Sequence, residues 1–234
     1  MSIAGNIAEL RERIDAAARR AGRRPEEIVL MGVTKTHPAE LIREAYHAGL
    51  RLFGENRVQE FAGKASALAD LPDAEWHMIG HLQTNKAAKA VELFGAVDSI
   101  DSLKVAEKLD AVAQSLGKKL KVLIEVNVGE EAAKTGVAQD SPELETILAA
   151  APRLEGLSLR GLMTVPPYTE DPNGARPFFR KLRALRDRIA ERKLPAAGMH
   201  VLSMGMSHDF EIAIEEGSTC VRVGTAIFGA REKY

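Results

Sequence analysis

The chain has 234 residues, room for one large barrel or open-sheet domain or for two small ones. It is 45% apolar and 28% charged with a formal net charge of −1, a balance that makes neither nucleic acid nor an anionic membrane the default partner. A single cysteine, Cys220, excludes an intramolecular disulfide and a multi-cysteine zinc site. It lies in the apolar run TCVRVG as a small core residue.

Ile3, Ile7, Leu10 and Ile14 recur at helical spacing and predict an opening helix with one apolar face. Charges run through that segment, which is not the pattern of a signal peptide, and no apolar run is long enough to span a bilayer; a cytoplasmic setting is expected. Arg19, Arg20, Arg23 and Arg24 follow where the helix ends, and the expectation for them is a solvated terminus whose cations complement the helix dipole.

Eight short runs rich in β-branched residues come next: IVLMGVTK (28–35), LRLFGEN (50–56), EWHMIGH (75–81), AVDSID (96–101), KVLIEVNV (121–128), LRGLMTV (159–165), HVLSMGM (200–206) and TCVRVG (219–224). Helical stripes lie between them, among them Leu103, Ala106, Leu109, Ala113 and Leu116, closed by Gly117, and Phe178, Leu182, Leu185 and Ile189. Gly49 and Gly217 stand just before strands, where a glycine ends a helix. Strand and helix alternating eightfold predicts a single α/β domain, a (β/α)8 TIM barrel with an extra N-terminal helix. An open doubly wound sheet is the alternative, weakened by the absence of a G-x-G-x-x-G turn after the first strand. The longest connection, PPYTEDPNGARP after the sixth strand, reads as a mobile loop within the domain.

Lys35 stands at the C-terminal end of the first strand, the end at which such barrels carry their active sites, and Pro38 suits the first turn of the next helix. SMGMSHD closes the seventh strand and enters a helix with Phe210, Ala213 and Ile214 on its apolar face, and RVGTAIFG closes the eighth. Glycines let a backbone approach an anion and hydroxyls donate to phosphate oxygens; the loops after strands seven and eight are the recurring phosphate site of this fold. Ser203, Ser207, Gly224 and Thr225 are therefore the candidate phosphate cradle. An amine facing a phosphate site suits a phosphorylated aldehyde or ketone held as a Schiff base, either a sugar phosphate, as in an aldolase, or pyridoxal 5'-phosphate (PLP). Arg222 would point into the same mouth, where a guanidinium can lie beside a pyridine nitrogen; the competing reading is a buried ion pair with Glu125 or Asp98.

Other groupings carry less. His77 and His81 would be about 13 Å apart in a strand and cannot share one zinc. Ser207, His208 and Asp209 hold the residue types of a hydrolase triad, but adjacent side chains diverge and no G-x-S-x-G elbow is present. His81, Gln83 and Asn85 after the third strand are candidate mouth residues.

The motifs VTKTHP, FGENRVQE, WHMIGHLQTNK, GLMTV, LSMGMSHDF and VRVGTAIFGAR, in this order from about Val33 to Arg231, resemble the pyridoxal phosphate homeostasis proteins, single-domain relatives of the alanine racemase barrel. The resemblance implies a type III PLP barrel over residues 1–234, with Lys35 as the Schiff-base lysine and Asn56 near the cofactor ring. It also implies Ser203, Ser207, Gly224 and Thr225 around the phosphate and Arg222 beside the pyridine nitrogen. Arg57 stands where many relatives carry tyrosine, and KTGV replaces a KSGF-like wording around Lys134 and Gly136; neither change touches the Schiff-base position.

Amino-acid racemases of this barrel type add a β-rich domain and take an opposing tyrosine from a partner subunit. Here Tyr234 closes the sequence about ten residues after the cradle, and Lys35 is the one evident acid/base group. An arginine beside the pyridine nitrogen would also weaken the ring as an electron sink. The expectation is a non-catalytic, monomeric protein that buffers PLP, serves vitamin B6 homeostasis and hands the cofactor to apo PLP-dependent enzymes. A PLP-dependent amino-acid racemase or a Schiff-base sugar-phosphate aldolase is the alternative.

Overall fold

The computed structural model describes residues 2–131 and 134–229. Ala230 and Arg231, which end the motif VRVGTAIFGAR, lie outside them. Eight strands, β1 (Val29–Val33), β2 (Leu52–Glu55), β3 (Glu75–Met78), β4 (Ala96–Ile100), β5 (Leu120–Glu125), β6 (Leu157–Met163), β7 (Ala197–Ser203) and β8 (Cys220–Val223), fall within or beside the eight predicted runs. All pair in parallel with their sequence neighbours, and β8 returns to β1 in register from Val29↔Cys220 to Gly32↔Val223. The sheet is a closed barrel, so the open-sheet alternative falls. Strands covered on both faces read as nearly continuous apolar runs, and β4 is buried at every position.

The outer ring is α2 (Ala39–His47), α3 (Val58–Lys64), α4 (Ala87–Leu93), α5 (Leu103–Ser115), α6 (Pro142–Ala150), α7 (Arg176–Glu191), α8 (Phe210–Glu215) and α9 (Thr225–Phe228), preceded by α1 (Ile3–Arg20). Pro38 is the N-cap of α2 and lies just before its first turn. Ser102 caps α5 by accepting from the Val105 N–H at 3.4 Å. The α5 stripe buries Ala106, Leu109 and Ala113, but Leu116 lies past the helix end and is 47% exposed. In α7 the buried aromatic is Phe179, one position later than predicted, with Phe178 only partly covered. Gly49 and Gly217 adopt φ of +90° and +102°, the left-handed conformation that closes α2 and α8.

Arg19 and Arg24 are solvated, with side chains 74% and 81% exposed, but the other two arginines of the cluster are tied down. Arg20 bridges to Glu211 and Glu215 of α8, and Arg23 donates to the carbonyls of Ile214 at 2.9 Å and Ser218 at 2.7 Å. Together with the buried face of Ile3, Ile7, Leu10 and Ile14, these bonds strap α1 across α8. The connection after β6 is also shaped: Asp171 Oδ1 accepts from the Asn173 N–H at 2.9 Å and opens a short 3-10 turn over Pro172–Ala175, and His208 Nε2 donates to the carbonyls of Thr169 and Glu170, each at 3.1 Å.

Candidate functional site

A cavity of about 350 Å³ opens at the C-terminal ends of the strands, and Lys35, Asn56, Ser207, Arg222, Gly224 and Thr225 all line it. His37, Ile79, Val165, Met206 and His208, which lie within the quoted motifs but were not among the expected cofactor contacts, complete much of the wall.

Lys35 is half-buried and sits in a turn immediately after β1, closed by the His37 N–H donating to the Thr34 carbonyl at 3.1 Å. Thr36, the next residue, has φ +66°. A β-branched side chain in the left-handed region costs roughly 1–3 kcal/mol and persists only where the surroundings hold it. Here they do. Glu60 Oε1 accepts from the Thr36 N–H at 2.5 Å, Lys64 Nζ donates to the carbonyls of Thr34 and His37 at 3.0 and 3.1 Å, and the Thr34 hydroxyl donates to Glu55 Oε1 at 2.5 Å.

Asn56 follows β2 directly, and its backbone lies against Gly80 just past β3. A Cβ on Gly80 would lie 2.4 Å from the Asn56 carbonyl oxygen, so only glycine lets the two chains pass this closely. Across the mouth, the chain leaving β7 turns at Gly205, whose φ of +95° and whose closeness to Ala213 leave no place for a side chain. The buried Asp209 carboxylate accepts from the Met206 N–H at 2.6 Å, fixing the loop that presents Ser207. Ser207 Oγ in turn accepts from the Ala226 N–H at 3.4 Å, which joins the two loops of the candidate cradle.

Arg222 is 4% exposed. Its Nη1 donates to Ser203 Oγ at 2.8 Å and its Nη2 to the Thr164 carbonyl at 2.7 Å. No carboxylate among the described residues forms an ion pair with it, so the buried pair with Glu125 or Asp98 is not made. Burial pulls the guanidinium below its usual pKa, against the more distant pull of nearby acidic groups. Ser203 corrects the sequence reading: it is fully buried, does not line the cavity, and supports Arg222 from below. Inward and outward positions alternate along β7, and loop composition did not reveal which way Ser203 faces.

Two glutamates of the strand ends, Glu55 and Glu125, are buried. Glu55 and Glu125 each leave Oε2 without a partner, and burial raises the pKa of both. Neither lines the cavity. His81 pairs with Asp101 at 2.8 Å, and with Gln83 and Asn85 it lines a separate recess, not the mouth. His208 faces carbonyls and Asp209 is engaged by Met206, so they form no relay with Ser207. Arg57 is exposed at the head of α3, and Lys134 Nζ donates to the Pro166 carbonyl at 3.1 Å. Among the described residues no group of three or more His, Cys, Asp or Glu could hold a metal, and no helix is long and apolar enough to cross a membrane.

The opposite mouth holds a larger cavity of about 650 Å³, where His77 lies 3.1 Å from Asp98 and Lys121 3.1 Å from Glu75. Burial opposes a charge on His77, but Asp98 and Glu75 outweigh it and hold its pKa up at about 9. In barrels of this kind the N-terminal face serves stability and the C-terminal face serves function.

Residues 6–232 match the family model described as the alanine racemase N-terminal domain. The chain is 47% identical to the pyridoxal phosphate homeostasis protein of Aquifex aeolicus, over 99% of this chain and all of that protein. It is 43% identical to the Escherichia coli K12 protein of the same name, over 98% of this chain and 97% of the relative. The solved structure of PipY from Synechococcus elongatus with PLP bound aligns at a TM-score of 0.84 and 38% identity, covering 97% of this chain and all of PipY. An alanine racemase from Clostridium difficile shares the fold at 17% identity and a TM-score of 0.74, with this chain spanning 57% of its length. Near-complete coverage at these identities, on a barrel whose mouth gathers a lysine, a buried arginine and two hydroxyl-bearing loops, places the chain in the pyridoxal phosphate homeostasis protein family.

Proposed function

We propose that this chain binds PLP at the C-terminal mouth of the barrel through a covalent link to Lys35, and that it acts as a reservoir for the cofactor rather than as a catalyst. The observation that carries this reading is the shared cavity: Lys35 and Arg222 line it together with Ser207, Gly224 and Thr225, in about 350 Å³. That volume is at the small end of ligand sites and suits a compact ligand. The donor set fits as well, because a buried guanidinium with no paired carboxylate leaves room for an electron-rich partner.

PLP, when bound, supplies an aldehyde that condenses with a neutral amine, a pyridine ring and a phosphate. Lys35 presents the amine from a turn that fixes its direction. Ser207 and Thr225 would donate hydroxyls to the phosphate, and Gly224 would let the backbone approach it. Asn56 would lie along the ring. Arg222 can only donate, so beside a pyridine nitrogen it would leave that nitrogen unprotonated and the ring a weaker electron sink. Apo PLP-dependent enzymes are the recipients this reading requires.

The test is a spectrum. Wild-type protein incubated with PLP and desalted should keep a visible absorption band, and Lys35→Ala should lose it. Retention of the band by Lys35→Ala would refute the assignment. One observation favours a second reading: His37 and His208 bring two imidazoles into the same cavity, and racemisation needs acid/base groups on both faces of its substrate. Turnover of L- or D-alanine by the loaded protein would support it.

A further inference from the structure

We infer that Lys64 is a positioning residue for Lys35: together with Glu60 it clamps the turn after β1 and so sets the direction of the amine at the mouth. The inference rests on the PLP-binding reading of the site. Lys64 ends α3, on the far side of β2 from Lys35 in sequence, yet its side chain is only 12% exposed and reaches back to the β1 turn. Side chains on a helix lean toward its N-terminus, and Glu60 one turn earlier is within 3.2 Å, the favourable order for such a pair.

Four acceptors surround three N–H groups: Glu55 Oε1 at 2.8 Å, Glu60 Oε1 at 3.2 Å, and the carbonyls of Thr34 and His37 at 3.0 and 3.1 Å. The bland explanation is that Lys64 merely neutralises the buried Glu55. One N–H suffices for that. The two carbonyls it also reaches bracket Lys35, one on each side, and Glu60 takes the N–H of Thr36 between them. The strained turn is therefore held from α3 at the Thr36 amide and at the carbonyls of Thr34 and His37. Neutralising Glu55 would not require this arrangement, and fixing the direction of the intervening side chain would.

Lys64→Met by itself strands a buried carboxylate and could compromise folding. The informative variant is Glu55→Gln with Lys64→Met, which removes both charges, compared with Glu55→Gln alone, which keeps the clamp. In PLP-free protein the double variant should show amide exchange at Thr36 and His37 at least tenfold faster than wild type, with the amides of β3 and α7 unchanged. Its PLP dissociation constant should be at least tenfold above that of Glu55→Gln, whose comparison isolates the loss of the lysine. Wild-type exchange at the turn, or faster exchange with the PLP affinity of Glu55→Gln, would overturn the inference. If the wild-type protein failed to take up PLP, the binding reading would fall, and exchange in the unloaded protein would still decide whether the clamp exists.

Discussion

Arg222 and Ser203 show how one buried contact divides roles at the site. Ser203 satisfies a guanidinium N–H that has no water to turn to, so Ser203→Ala should cost about 1–3 kcal/mol of stability. Urea denaturation of the PLP-free protein measures it. Ser207→Ala removes a hydroxyl that faces the cavity, and the loss of one hydrogen bond to a charged group, about 1.5–3 kcal/mol, should raise the PLP dissociation constant more than tenfold with little change in unfolding. Equal effects of the two variants on PLP affinity would contradict this division. Lys35, Ser207, Arg222, Gly224 and Thr225 were legible as a group because each follows or closes a strand and barrel topology carries every such position to one mouth, whereas Asn56 entered only through the family resemblance. Lys64 and Glu60 were not. Their service to the turn is a tertiary contact across neighbouring β/α units, and nothing in their spacing distinguishes them from a solvated i,i+4 pair.

At the level of elements, periodicity gave strands and helix faces because burial imposes it, and it failed where burial is shared or ends. Phe178 and Phe179 are adjacent aromatics of equal hydrophobicity, and only the packed helix shows that the second faces the core. Leu116 keeps the rhythm of α5 but falls after its last turn. Arg20 and Arg23 looked solvated because their partners, Glu211, Glu215 and the end of α8, lie nearly two hundred residues away in sequence. The strap formed there makes a graded prediction. Arg23→Ala removes two bonds to carbonyls from a partly buried guanidinium and should destabilise the protein by about 1–3 kcal/mol. Arg20→Ala breaks exposed ion pairs and should cost less than about 1 kcal/mol. The reverse ranking in urea titrations would show that α1 is held by its charges.

Over the whole molecule, the cavities at the two mouths of the barrel are opposite in character. The C-terminal one gathers an amine, hydroxyls and an arginine with no ion-paired acid among the described residues, and the N-terminal one is laced with ion pairs. His77 gives the second a pH signature. Its pKa is about 9 in the folded barrel against 6.5 when unconstrained, so its pairing with Asp98 and Glu75 contributes fully below about pH 6.5 and is lost as the pH rises toward 9. The slope across that window is at most about 1.4 kcal/mol per pH unit. PLP-free wild-type protein should melt progressively lower between those values, and His77→Gln should flatten the profile; a parallel decline in the variant would assign it to other groups.

The barrel's function-bearing end is tested most directly by reducing the PLP-loaded protein with borohydride and mapping the modified peptide by mass spectrometry. A single pyridoxyl-phosphate adduct on Lys35 is the expected result. An adduct confined to another lysine, such as Lys64 or Lys134, would contradict it.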